Sequence, residues 1–155
     1  MITLADIRKA ITTALKSKFQ NIKVFFDDVE NSTDDYFYIE FTPKSKTIDD
    51  IYTNKIIKID IDYVLALDEN KKIDRRKLQD SISKIDILFR PVFKVKDRAF
   101  TILETSTTIV DDILHFSFEL NFVDCLSDEE FGGIKYELMK HLEMTWRLKA
   151  VINNI

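Results

Sequence analysis

The sequence has few of the residues that interrupt secondary structure, and almost none of the residue that forms disulfides. Its 155 residues include one Cys, two Gly and two Pro. Cys125 has no partner for an internal disulfide, which excludes a disulfide-stapled secreted scaffold and fits a reducing cytoplasm. Because no stretch rich in Gly, Pro or Ser marks a linker, we expect a single domain over residues 1–155.

Long apolar runs are missing as well. The first twenty residues carry Asp6, Arg8, Lys9 and Lys16 where a signal peptide would have its apolar segment. No other window reaches the length of a membrane span. The sequence therefore predicts a chain that is made in the cytoplasm and makes no contact with a membrane.

An excess of positive charge is also absent. The 23 basic and 27 acidic residues give a formal net charge of −4 and are interspersed along the sequence. Duplex binding depends largely on Lys and Arg side chains that neutralise phosphates. The short run Arg75-Arg76-Lys77 is better explained as solvated helix surface, so we expect no sequence-specific binding of nucleic acid.

Phe is abundant, with twelve copies, which predicts a well-filled core or a large subunit contact. Tyr36 and Tyr38 fall on the polar face of a predicted strand. They could stack on bases, as in sheet-based RNA readers. With Glu40 beside them and no basic residue on that face, a subunit contact is the favoured interpretation.

The clearest pattern is the alternation of apolar and polar residues from Ile113 to Phe122. Successive side chains of a strand point to opposite faces of the sheet, so this segment predicts an antiparallel strand with one dry face. The dry face would hold Leu114, Phe116, Phe118, Leu120 and Phe122, and the wet face would hold His115, Ser117, Glu119 and Asn121.

Helical spacing appears in three places. Thr3 is a candidate N-cap, with Asp6 in the first turn, for a helix whose apolar stripe includes Ile7, Ile11 and Leu15. Asp74 can cap a second helix, which Pro91 would stop. Beyond Gly132-Gly133, residues 134–151 predict a C-terminal helix, either part of the domain or an appended element, with a stripe of Leu138, Leu142 and Trp146.

Further alternating segments predict a sheet. We expect Pro43 to end pairing of the second strand, and residues 44–53 to form a long hairpin connection. Grouped strands and separate helices favour an α+β fold, a mostly antiparallel sheet packed by an N-terminal and a central helix. The predicted strands, besides the one described above, are 22–26, 36–42, 55–65, 92–95 and 99–110.

No constellation predicts catalysis. Four residues of strand separate His115 from Glu119 by about 13 Å, too far for the carboxylate to orient the imidazole. Asp60 and Asp62 share a face but lack the converging oxygens that a hard cation requires.

The remaining candidates also have ordinary explanations. Glu137 and His141 would be a surface pair on the C-terminal helix. Cys125 is better explained as a buried or half-buried structural thiol than as a nucleophile. We therefore predict no catalytic, cofactor-binding or metal-binding residue.

The order of elements resembles a known family. The segments are the helix beginning Ile-Thr-Leu-Ala-Asp-Ile, then Phe-Gln-Asn-Ile-Lys-Val-Phe-Phe-Asp-Asp-Val-Glu, then Tyr-Phe-Tyr-Ile-Glu-Phe-Thr-Pro, and later Ile-Val-Asp-Asp-Ile-Leu-His-Phe-Ser-Phe. Together, over about residues 2–122, they resemble the tail terminator (tail completion) proteins of phages, prophages and phage-tail-like bacteriocins from Gram-positive bacteria. The chain departs from that family's pattern at Asp35-Tyr36, where a Pro would precede the strand.

The resemblance implies a structural virion protein rather than an enzyme. It implies a homo-hexameric ring that caps the head-proximal end of the tail tube and ends polymerisation of tube and sheath. Its partners would be further copies of itself, tail tube and sheath proteins, and the head-tail connector, and its location would be the virion tail, assembled in the host cytoplasm. The alternative is a small cytoplasmic adaptor module without catalytic activity, because fold alone does not specify function.

Overall fold

The computed structural model describes residues 1–27, 33–67 and 72–125. Within these residues two helices, α1 (Leu4–Lys18) and α2 (Arg75–Phe89), pack against a sheet. The strands, in chain order, are β1 (Lys23–Phe25), β2 (Tyr36–Thr47), β3 (Tyr52–Val64), β4 (Val92–Val95), β5 (Arg98–Thr101), β6 (Thr105–Val110) and β7 (Ile113–Cys125).

Helix α1 begins at the predicted cap. The Thr3 hydroxyl accepts the Asp6 N–H at 3.2 Å, and the Asp6 carboxylate accepts the Thr3 N–H at 2.9 Å. This reciprocal pair satisfies two amides that a helix N-terminus leaves without partners. The predicted stripe of α1 is buried, including Ile7, Ile11 and Leu15.

Helix α2 also begins and ends as predicted. The Asp74 carboxylate accepts the N–H groups of Arg76 (3.0 Å) and Lys77 (3.2 Å). The helix ends at Phe89, just before Pro91, whose ring is incompatible with a continued helix.

The main sheet has the strand order β1-β2-β3-β7-β6. Among the described strands of this sheet, only β1 and β2 run parallel, and the other neighbours are antiparallel. Strands β4 and β5 form a separate two-stranded hairpin. The α+β prediction with a mostly antiparallel sheet is therefore confirmed.

The core lies between the two helices and one face of this sheet. Phe37 stacks on Tyr63 with ring centroids 4.6 Å apart, and Phe89 of α2 stacks on Phe118 at 4.9 Å. The predicted dry face of β7 is buried, and the strand continues past Phe122 to Cys125. Eight of the Phe residues are buried in this core, which agrees with a well-filled core as the explanation of their abundance: Phe19, Phe37, Phe89, Phe93, Phe100, Phe116, Phe118 and Phe122.

The prediction that β2 ends at Pro43 is wrong. Pro43 lies opposite Ile57 within a ladder that continues to Thr47. The Ile48 N–H donates to the Tyr52 carbonyl (3.0 Å), and hydrogen-bonded pairs alternate along antiparallel strands. The nitrogen of Pro43 therefore points away from β3, toward an edge where its missing N–H costs no ladder bond.

Two other strand predictions are also wrong. Residues 44–53 form the ends of two paired strands rather than a long connection, with the turn at residues 48–51. Residues 99–110 form two strands, because the chain leaves the β4–β5 hairpin at Ile102 and joins β7 from Thr105. Ile102 is buried and its N–H donates to the Pro91 carbonyl at 3.0 Å, which anchors this crossing.

The predicted C-terminal helix, residues 134–151, lies outside the described residues, as does Gly132-Gly133. In the part of the chain that the structure does describe, neither helix is long and apolar enough to cross a membrane.

Candidate functional site

The sheet face opposite the helices, which we call the outer face, contains the predicted wet face of β7. One cross-strand pair on this face is His115 on β7 and Asp62 on β3, which lie directly opposite each other. The His115 Nδ1 is 2.6 Å from an Asp62 carboxylate oxygen. Sequence reasoning considered Glu119 as the partner of His115 and missed Asp62, because the pairing depends on the register between two strands distant in sequence.

Among the residues that the structure describes, this pair has none of the further groups that catalysis requires. A histidine oriented by a carboxylate acts on a nucleophile or a bound substrate within hydrogen-bond reach. In residues 1–27, 33–67 and 72–125, no hydroxyl or thiol hydrogen-bonds to His115. The pair is also partly exposed, so we interpret it as a surface interaction between strands.

The other candidates from the sequence are placed apart. Asp60 forms an ion pair with Lys58 at 2.8 Å rather than sharing a ligand with Asp62. Among the described residues, no three His, Cys, Asp or Glu side chains are grouped so that they could hold a metal ion. Cys125 is exposed, so the prediction of a buried or half-buried thiol is wrong. Its side chain follows the outward alternation of β7. Glu137 and His141 lie outside the described residues.

A buried charge cluster that the sequence did not reveal surrounds Asp124. Its carboxylate accepts the Ile2 N–H at 2.8 Å and contacts the Lys55 ammonium at 3.1 Å and the Arg98 guanidinium at 3.5 Å. Asp124 is only 6% exposed. The cluster joins the segment before α1 to β3, β5 and β7, so it holds together parts of the chain that are far apart in sequence.

The electrostatics of this cluster favour the ionised carboxylate. Burial alone raises the pKa of Asp124, but the Ile2 N–H and the Lys55 ammonium outweigh it and hold the pKa below its usual value. Asp35 is a second example, where burial is outweighed by Lys77 and the Ala66 N–H and the pKa is lowered. Burial, followed by the Asp35 charge, raises the pKa of the neighbouring Tyr63.

The most exposed regular structure is the end of the β2–β3 hairpin, residues 43–52, which we call the arm. Every residue from 43 to 50 is exposed, yet the two strands remain paired to Thr47 and Thr53. The Asp49 carboxylate orders the turn by accepting the N–H groups of Ile51 (2.9 Å) and Tyr52 (2.7 Å), and these bonds lower its pKa. The arm is therefore an ordered projection.

Large apolar side chains are exposed on the arm and beside it, on β7. Ile48 is 54% exposed, Tyr52 46% and Val123 47%. Tyr52 and Val123 lie on the outer face, since Tyr52 is opposite Cys125 and Val123 is opposite Asn54. Exposed apolar groups on an ordered projection are typical of a surface that binds another protein.

The other edge of β2 adds to this surface. Strand β1 pairs only with residues from Tyr36 to Tyr38, and among the described residues no strand pairs with that edge from Ile39 to Thr47. Pro43 and two lysines, Lys44 and Lys46, lie along it. Proline and lysine on an edge strand discourage indiscriminate pairing, so this edge favours a specific partner.

A known protein family matches most of this chain. A family model described as phage tail terminator protein matches residues 6–131. No curated protein matches the chain. One matching solved structure covers 82% of this chain and 98% of its own length, at 15% sequence identity and a TM-score of 0.44.

Proposed function

The chain belongs to the phage tail terminator family, and from that premise we propose that it caps the head-proximal end of a tail tube as a homo-hexameric ring. In this role it ends polymerisation of the tube, and of a sheath where one is present, and offers a joining surface to the head-tail connector. The particle is a phage, a prophage or a phage-tail-like bacteriocin of a Gram-positive bacterium, and it is assembled in the host cytoplasm.

The arm is the observation that carries the ring proposal. In a cyclic ring each subunit uses two different surfaces, one for each neighbour. The arm extends one end of the sheet beyond the helices, with Ile48 and Tyr52 exposed near its turn. We infer that these side chains insert against the neighbouring subunit, where burial of such residues supplies binding energy.

The chemistry of the described surface supports a structural role for this chain. The His115–Asp62 pair has no hydroxyl or thiol partner among the described residues, and the buried Asp124 cluster is satisfied by its own neighbours. A formal net charge of −4 is compatible with DNA passing through the ring without being held. We propose no catalytic residue, cofactor or metal.

The test compares two substitutions of exposed isoleucines. Ile48→Asp places a charge on the arm, and Ile87→Asp places the same charge on α2, where Ile87 is 69% exposed. Loss of one buried anchor costs about 2 kcal/mol or more, which weakens association by roughly thirtyfold. We expect Ile48→Asp to lose ring formation and capping, and Ile87→Asp to retain both.

Two measurements distinguish the variants. Mass photometry reports the oligomeric state, alone and with purified tail tubes, and electron microscopy reports whether tube ends carry a cap and whether tube lengths remain uniform. Because a terminator can remain monomeric until it meets a tube, capping is the decisive readout. Wild-type protein that never caps a tube of its own particle would contradict the proposed function, and equal capping by the two variants would exclude the arm as the contact.

A further inference from the structure

A groove lies between α1 and the β4–β5 hairpin and has a volume of about 580 Å³. We call it the α1–β4 groove. Small side chains of α1 leave room for it, and apolar groups of α2 and β4 line it from the other side. Its apolar lining includes Ala10, Ala14, Leu88 and Phe93.

The rim of the groove is basic on balance, with three lysines and one carboxylate, Asp6. Lys9, Lys94 and Lys96 line it, and all three side chains belong to exposed residues. Lys96 forms an ion pair with Asp6 at 2.8 Å at the N-terminal end of α1. An apolar floor with an ammonium rim matches an amphipathic segment that carries acidic residues.

The last described residues of the chain lie at this same end of the groove. Arg98, two residues after Lys96, donates from its guanidinium to the Val123 carbonyl at 3.0 Å. The Asp124 carboxylate accepts the Ile2 N–H at 2.8 Å, which places the end of β7 beside the start of α1. The described part of the chain therefore ends, at Cys125, next to one end of the groove.

The sequence of that segment matches the groove in order and in length. Its first charged residues are acidic, Asp128, Glu129 and Glu130, and an apolar stripe of Leu138, Leu142 and Trp146 follows Gly132-Gly133. If the predicted helix forms, Leu138 and Trp146 are about 12 Å apart along it, the same separation as that of the groove-lining residues Asp6 and Ala14 along α1. About a dozen residues connect Cys125 to the stripe, enough to reach the groove from where β7 ends.

We propose that residues 134–151 dock into the α1–β4 groove of their own chain through this stripe, and that residues 128–130 face the basic rim. The proposal goes beyond the tail function and does not depend on it. It makes the C-terminal segment part of the single domain and removes the groove from the surfaces available to neighbouring subunits.

Trp146 is the only tryptophan of the chain, so its fluorescence reports docking directly. In the wild-type protein we expect blue-shifted emission that is protected from acrylamide. Ala14→Glu, in the groove, should shift the emission to the red and increase quenching several-fold. Ala5→Glu is the matched control on the exposed surface of α1 and should leave both unchanged. Solvent-like emission in the wild-type protein, or equal spectra for the two variants, overturns the proposal.

A disulfide test avoids any dependence on the fold of the glutamate variant. In a Cys125→Ser background, Ala10→Cys is combined with Leu142→Cys, and the protein is oxidised at low concentration. We expect a disulfide within one chain, seen as a monomer with faster mobility on a non-reducing gel. Lys16→Cys with Leu142→Cys is the control, because Lys16 does not line the groove, and it should cross-link at least several-fold less.

The outcomes separate the possible occupants of the groove. Disulfides between two chains show that a second copy fills it and overturn docking within one chain. Failure of the Ala10–Leu142 pair to cross-link, or equal cross-linking by the control pair, overturns docking altogether. Neither readout uses a tail tube, so the result is independent of whether the chain caps one.

Discussion

The same two strands, β2 and β3, behave differently at their two ends. Near Tyr63 they lie under the helices, and alternate side chains such as Phe37, Ile39 and Ile61 are fully buried. In the arm the strands remain paired, but no side chain from 43 to 50 is buried. The end under the helices is held by packing and backbone bonds together, whereas the arm is held by backbone bonds and its turn.

This difference explains why the sequence pattern predicts a connection where the structure has the arm. Alternation of apolar and polar residues arises only where one face of a strand is buried, so an uncovered ladder carries no such pattern. A paired but unburied ladder also contributes little to the stability of the fold, since exposed hairpins are marginally stable in water. Its persistence here supports a role in binding a partner.

The largest expected effect comes from the covered end. Phe116→Ala removes a fully buried ring that packs against Phe89, with centroids 5.8 Å apart, and should reduce the free energy of unfolding by about 3–5 kcal/mol. Thr47→Ala in the arm should change it by less than about 0.5 kcal/mol. Urea unfolding at equilibrium measures both, and similar losses would contradict the contrast between the two ends.

The buried charge at the base of the arm should have the next largest effect. Asp124→Asn weakens hydrogen bonds to a carboxylate and leaves Lys55 without its counter-ion, so we expect a loss of about 2–3 kcal/mol near neutral pH. Asp60→Asn, which breaks the more exposed pair with Lys58, is the control and should cost less.

The pH dependence of the Asp124 effect has a defined sign. The folded pKa of Asp124 is lowered relative to the unfolded value of about 3.9, so its contribution is fully present above that value and is lost as pH falls through the folded pKa. The unfolding free energies of the wild-type protein and Asp124→Asn should therefore converge in acid. A difference that stays constant down to about pH 2 would contradict this account.

A smaller effect is expected on the outer face. His115→Gln removes the contact with Asp62 at a partly exposed position, so unfolding should become easier by at most about 1 kcal/mol. The same urea titrations measure it. A loss comparable to that of Phe116→Ala would mean that the outer face is covered more tightly than its exposure indicates.

The smallest global effect is expected at the turn of the arm. Asp49→Ala removes the acceptor for the Ile51 and Tyr52 N–H groups without touching the core. Amide hydrogen exchange should accelerate in the arm and remain unchanged at Ile59 and Phe118, because the arm opens without the rest of the sheet. Faster exchange throughout the sheet would show that the arm and the covered end unfold as one unit.

Sequence reasoning succeeded where a few neighbouring residues decide the outcome. The caps at Thr3 and Asp74, the helix end before Pro91 and the alternation of β7 all depend on spacings of two to four residues. It failed where the outcome depends on residues distant in sequence. These cases are the position of Pro43 within an edge strand, the crossing of the chain at Ile102 and the exposure of Cys125.

The sequence by itself determined the periodic elements, the α+β class and the resemblance to the tail terminator family, because side-chain period and capping chemistry are local properties. Only the tertiary structure decided that Asp62 is the partner of His115 and that β2 and β3 project as an arm. It also decided that the Asp124 carboxylate contacts Ile2, Lys55 and Arg98. Those features depend on strand register and on which edges other strands or helices cover, and both are set by contacts between residues far apart in the chain.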